Sequence, residues 1–162
     1  MATYIAEDLN DASKFFNTLL YTGNGSTGHA ITGVGFEADW TWIKNRETTD
    51  VFNISTSVSG TNKYLITSSN DMLQSGSENL QSWGSDGFTV GTDNQFNQSA
   101  DGYVSYNLKA GTTSGISGGT ITPSAYSINT TSGFGIYAYS GTGSNGTIAH
   151  GLGSAPKMII CK

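Results

Sequence analysis

Gly102-Tyr-Val-Ser-Tyr-Asn-Leu-Lys109 is the most regular stretch of the sequence. Tyr103, Ser105 and Asn107 alternate with Val104, Tyr106 and Leu108, the period of two that places successive side chains on opposite faces of a β-strand. Similar stretches flank it. Phe134, Ile136 and Ala138 alternate with Gly135, Tyr137 and Tyr139. In Asp39-Trp-Thr-Trp-Ile-Lys44, Trp40, Trp42 and Lys44 share one face and Thr41 and Ile43 the other. Trp40 and Trp42 are therefore expected to be buried against an opposite sheet. Val51–Val58, Lys63–Thr67 and Asp86–Gly91 add shorter strands, the last opened by an Asp-Gly turn signal. Asp71–Asn79 reads as a polar loop or a single helical turn, and only Glu7–Lys14 suggests a helix, capped by Asp8 or Asn10. Seven or eight short strands at this spacing predict an all-β fold: an antiparallel β-sandwich or jelly-roll-like domain with Gly-rich loops and a short N-terminal helix.

The composition agrees. Of 162 residues, 22 are Gly, and Ser, Thr and Asn contribute 21, 21 and 13. Charged residues are 12% and Pro only 2, which excludes long charged helices and coiled coils, while 11% aromatics argues against a disordered tail. A net charge of −5 with only 7 Lys and Arg leaves no basic footprint for nucleic acid. No apolar run approaches the roughly 20 residues of a membrane span, so no membrane insertion is expected. The first residues lack a basic and then apolar leader pattern, and Cys161 has no second cysteine, so synthesis in a reducing cytoplasm is expected.

The chain repeats itself. Phe16–Lys44 aligns without a gap on Phe134–Lys162, 118 residues later, with 9 of 29 positions identical. Each copy reads as a hairpin-like unit: an apolar strand, a Gly-rich loop (Gly23, Gly25, Gly28; Gly141, Gly143, Gly146), a Gly-x-Gly turn (Gly33, Gly35; Gly151, Gly153) and a second apolar strand. The period is too long for a solenoid and suits tandem β-domains. The predicted organisation is an arm or short helix over 1–15, a β-sandwich domain over 16–110, a Gly/Ser/Thr linker over 111–123, and second-unit strands over 124–162. Lys157-Met-Ile-Ile-Cys-Lys162 is expected to be a strand, either closing the sheet of the first domain or beginning a copy that continues further.

Phe16-Asn-Thr-Leu-Leu-Tyr-Thr-Gly-Asn-Gly-Ser26 and Ile31-Thr-Gly-Val-Gly-Phe-Glu-Ala-Asp-Trp-Thr-Trp-Ile-Lys-Asn-Arg46 resemble a repeat-containing family of virion structural, tail-fibre-like proteins of tailed bacteriophages that infect marine bacteria. The resemblance continues through Ser85–Gly91, Tyr103–Gly111 and His150–Ile160, in the expected order. Family members often carry an Asp-x-x-Arg-Gly segment after Asn-Arg; here the region reads Phe52-Asn-Ile-Ser-Thr-Ser-Val-Ser-Gly60. The resemblance implies a virion location, other virion proteins as partners, a homo-oligomer, and a tail-fibre or receptor-binding role, with a capsid decoration protein as the alternative. It supplies no catalytic residues.

The residues themselves predict no enzyme. Gly23-x-Gly25-x-x-Gly28 has the dinucleotide fingerprint, but a strand rather than a helix follows it, so it reads as a turn. Glu37, Asp39, Asp86, Asp93 and Asp101 sit in turn-like segments, and no two are paired as glycoside hydrolysis requires. A structural Ca2+ in Asp86–Asp101 is the one cofactor alternative. His29 and His150 read as loop-surface residues and Cys161 as a small buried hydrophobe. Trp40, Trp42, Trp83, Tyr103, Tyr106 and Tyr137 form either the core and an oligomer interface or a sugar-stacking platform of a carbohydrate-binding module. Tyr103, Tyr137 and Tyr139 are the candidate contacts for a host-surface glycan, receptor or protein partner.

Overall fold

The computed structural model describes residues 11–162. All its strands pair antiparallel. One sheet runs, in spatial order, β1 (Phe16–Thr22), β9 (Gly102–Leu108), β3 (Trp40–Asn45), β4 (Asn53–Thr56), β5 (Lys63–Ile66) and β6 (Gln74–Ser75). A second holds β2 (His29–Thr32), β8 (Gly87–Val90) and β7 (Leu80–Gly84). Their shared core joins Ile43 and Tyr103 of the large sheet to Ile31, Leu80, Phe88 and Val90 of the small one, with Val34, Phe36 and Ala38 from the connection between β2 and β3. One short helix, α1 (Asn94–Asn97), adds Phe96. The fold is thus an all-β sandwich. At the N-terminal end of the described residues the expected helix is a single 3-10 turn, Ala12–Lys14, capped by Asp11, whose carboxylate accepts Ser13 N–H at 3.1 Å. The expected caps Asp8 and Asn10 lie outside the described residues.

The repeat unit is not a hairpin. β1 pairs with β9, more than 80 positions later, and the chain leaves β1 through the Gly-rich loop to enter the other sheet as β2. It returns through Gly33–Ala38 to the large sheet as β3, which takes the other edge of β9. β9 is therefore hydrogen-bonded on both sides, by the two strands that bracket the first copy of the repeat.

The inward faces correct the expectation for the tryptophans. In β3, Thr41, Ile43 and Asn45 are fully buried, and in β9 so are Tyr103, Ser105 and Asn107. Trp40 and Trp42 lie on the outer face, half-buried. Trp40 meets Phe134 edge-on at 6.1 Å, and Trp42 packs against Phe52 and Tyr106. Apart from Ile43 and Tyr103, the centre of the large sheet presents small polar side chains inward, and the facing layer supplies the rest of the core; Trp83 spans the two, its Nε1 donating to Thr41 Oγ1 at 3.3 Å.

Residues 111–162 fold onto this outer face. β10 (Ala125–Asn129) and β11 (Phe134–Ala138) form a hairpin. The segment expected as a linker is stitched down: Thr112 and Ile128 exchange backbone hydrogen bonds at 2.9 Å, and Thr120 and Ile121 donate to Thr147 O. Asp39 clasps the two parts, accepting Ser57 Oγ at 2.6 Å, Ser127 Oγ at 2.8 Å and Ala110 N–H at 2.8 Å. Lys157–Lys162 is not a strand: among the described residues it joins no sheet, and its apolar residues are exposed. Apolar composition favours a strand only where a neighbour completes the hydrogen bonding, and among the described residues no strand pairs with it.

Tyr103 is the polar anchor of the core. It is 0% exposed, which removes it from the candidate surface contacts. Its ring stacks on Tyr21 at 5.0 Å. Its hydroxyl donates to Asn94 O at 2.5 Å and accepts Gln98 N–H at 2.7 Å and Asn45 Nδ2 at 3.2 Å, binding α1 to the sheet. Burial pushes this phenol up to about 12, against the opposing pull of the Gln98 N–H, and burial also holds Tyr21 well above the usual phenol range. Below pH ~10 both phenols are protonated in the folded and the unfolded chain. As pH rises further the unfolded chain loses these protons first, so stability falls between about pH 10 and 12. The melting temperature should hold to about pH 10 and then drop steeply, and Tyr103→Phe should lower it at neutral pH while flattening the alkaline drop. A melting temperature unchanged from pH 9 to 12 contradicts this.

Candidate functional site

The first Gly-rich loop is a packed structural element. Asn97, fully buried on α1, donates through Nδ2 to Gly91 O at 2.7 Å and Ser26 O at 2.9 Å, and its Oδ1 accepts Asn24 N–H at 2.8 Å. His29 Nδ1 lies 2.9 Å from the same oxygen, which makes Nδ1 the protonated nitrogen. His29 is thus a half-buried residue of β2, not a surface loop residue. Gly25 N–H donates to Asn97 O, and Gly23 is so close to the next layer that a Cβ there would lie 2.1 Å from Gln98 O. No turn signal pointed to Asn97, because its partners Asn24 and Ser26 lie more than 70 residues away; the Asp93 cap that opens α1 was the one local sign.

The second loop has the same glycines and a different setting. Gly141 and Gly143 have open space around them and Gly146 lies against Ile121. The loop is exposed from end to end. Tyr139, at its root, is 46% exposed, while Tyr137 is half-buried and donates its hydroxyl to His150 O. Burial raises the Tyr137 phenol. His150 Nδ1 accepts Leu152 N–H at 3.1 Å. Beyond it Met158, Ile159 and Ile160 are 78%, 75% and 59% exposed, and Lys162 Nζ reaches Ser69 O. Cys161 is exposed as well, not the buried hydrophobe expected, because the segment that carries it joins no sheet.

The carboxylates are dispersed, each with a local task. Asp86 accepts Gly33 N–H at 3.1 Å and Gly35 N–H at 2.6 Å, Asp93 caps α1, Asp101 accepts Asn45 Nδ2 at 2.8 Å, and Glu37 is exposed. Among the described residues there is no group of three or more His, Cys, Asp or Glu side chains that could hold a metal ion. An open cleft of about 400 Å³ lies where Asp39, Ser57, Tyr126 and Ser127 meet. Of its three serine hydroxyls, those of Ser57 and Ser127 are spent on the Asp39 clasp and that of Ser124 donates to Ala138 O, and no histidine lines it. Among the described residues no helix is long and apolar enough to cross a membrane.

Exposed large apolar side chains occur in both units, Leu20 and Met72 in the first and the consecutive Met158–Ile160 in the second, which also carries the exposed Tyr139 and the loop over Gly141–Gly146. The chain belongs to the family described as Domain of unknown function (DUF7483), which matches residues 11–162. No curated protein and no solved structure matches it.

The two loops should respond oppositely to a methyl group. Gly23→Ala places a Cβ on the Gln98 carbonyl and should cost about 3 kcal/mol in urea unfolding. Gly141→Ala meets nothing and should change stability by less than ~0.5 kcal/mol. Equal effects at the two sites would contradict the structural role given to the first loop.

Proposed function

We propose that the chain is a structural module of a bacteriophage virion that acts by assembly and surface contact, without catalysis, as part of a tail fibre or receptor-binding component. The observation that carries this reading is the exposure of three consecutive large apolar residues, Met158, Ile159 and Ile160. Apolar surface of this kind marks a place that a partner covers. The rest supports contact rather than chemistry: carboxylates dispersed among structural tasks, and a surface rich in hydroxyls and amides with few charges. The virion context comes from the five segments that resemble tailed-phage proteins. A carbohydrate-binding role would now rest on Tyr137 and Tyr139, since Tyr103 is inaccessible.

Immunogold labelling of particles from the phage that encodes the chain tests this directly. Gold on the tail fibres is expected. Gold on the capsid would replace the fibre role by capsid decoration, and a protein missing from purified particles would overturn the virion reading. Glycan binding lost on Tyr139→Ala would favour the carbohydrate-binding module.

A further inference from the structure

The two copies of the repeat share local structure down to single hydrogen bonds. Asp11 Oδ1 accepts Ser13 N–H at 3.1 Å before β1, and Asn129 Oδ1 accepts Thr131 N–H at 3.0 Å at the equivalent place before β11. Gly25 and Gly143 have φ of 67° and 73°, Gly33 and Gly151 of 96° and 66°, Gly35 and Gly153 of 87° and 78°. Val34 and Leu152, held between the paired glycines, are both buried.

What differs is which strand edge is filled. Phe15 O accepts Lys109 N–H and Gly23 N–H donates to Asp101 O, so in β1 the odd-numbered residues, Asn17, Leu19 and Tyr21, turn their backbone groups to β9. In β10, Ile128 gives both its backbone groups to Thr112, so its neighbours Ser127 and Asn129 face β11, where they pair with Ile136 and Phe134. The groups of Gly135 and Tyr137, equivalents of Asn17 and Leu19, point away from β10. Among the described residues β11 has no other strand neighbour. β11 is thus open along the edge that β9 fills on β1.

The side chains tell the same story. Tyr21 stacks on Tyr103, its opposite number on β9, at 5.0 Å and 10°. Its equivalent Tyr139 is exposed and has no ring partner among the described residues. The equivalent of β3, which flanks the far edge of β9, is Lys157–Lys162, exposed and unpaired.

We propose that the second unit is an acceptor for a β-strand of β9 chemistry from outside the described residues, an uncharged extended polypeptide segment that pairs antiparallel with the open edge of β11, stacks a tyrosine on Tyr139, and draws Lys157–Lys162 into a strand along its other side. Main-chain hydrogen bonds to an exposed edge give such strand addition its affinity, and side-chain positions on alternate residues give it its selectivity. In the register of β1 with β9, a tyrosine meets Tyr139, a serine meets Tyr137 and an asparagine meets Gly135. Ile159 would then take the buried position of its equivalent Thr41, and Met158 and Ile160 the half-buried outer positions of Trp40 and Trp42. Strand acceptance requires nothing of the virion reading and would serve any assembly built from this domain.

The test adds a synthetic peptide of this chain's own residues 100–110 to the full chain and follows amide hydrogen exchange. Exchange should slow at Gly135 and Tyr137 and through residues 158–161, while β1 and β3 are unchanged. Tyr139→Ala should weaken peptide binding about five- to tenfold, as should replacing the peptide's own tyrosine at 103 by alanine, and Tyr139→Phe should bind as the native chain does. Tyr139 is exposed, so these variants fold. No slowed exchange, slowing confined to the edge of β1 or to the smaller sheet, or an affinity indifferent to Tyr139→Ala would each overturn the proposal.

Discussion

The hydrogen bonding of β9 along both its edges holds the first unit together. β9 joins β1 to β3, strands at the two ends of the repeat that the chain itself connects only through the opposite sheet. Closing that long loop costs conformational entropy before any pairing repays it, so the pairing must be extensive. It is: seven register positions on one side and six on the other. From β9 the order spreads through one side chain, Tyr103, whose hydroxyl fixes α1; α1 then positions Asn97, and Asn97 holds the Gly-rich loop and His29.

That dependence explains why two nearly equivalent stretches have different fates. Phe16–Lys44 has β9 beside it and becomes two strands, a packed loop and part of a closed core. Phe134–Lys162 keeps the positive φ of Gly25, Gly33 and Gly35 at Gly143, Gly151 and Gly153, though not that of Gly28 at Gly146, and only its first strand is paired, from the other edge. Its loop is exposed and its last segment lies in solvent. Local sequence specifies the turns; it cannot supply the neighbour that makes an apolar segment a strand.

The same physics sets what could be read from the residues. The alternation in 102–109 and 39–44 marked β9 and β3 correctly, and the all-β sandwich followed. Which face of β3 turned inward did not follow, because hydrophobicity favoured Trp40 and Trp42 over Thr41, whereas the core takes the smaller residue. Tyr103 looked like a surface aromatic because its three hydroxyl partners are spread over 45, 94 and 98. Asn97 was invisible for the same reason. Lys157–Lys162 looked like a strand on composition alone, and Cys161 like a core residue for that reason. Tyr139 and the exposed loop at 141–146 were legible, since both follow from the apolar strand ending in a Gly-rich run.

The central claim is that β9 completes the first unit and that no strand among the described residues takes its place in the second. Amide hydrogen exchange of the chain by itself measures this most directly. The account predicts that amides of β1, β3 and β9 exchange only through global unfolding, while Gly135, Tyr137 and residues 158–161 exchange orders of magnitude faster. Protection at 158–161 equal to that at 41–44 would contradict it.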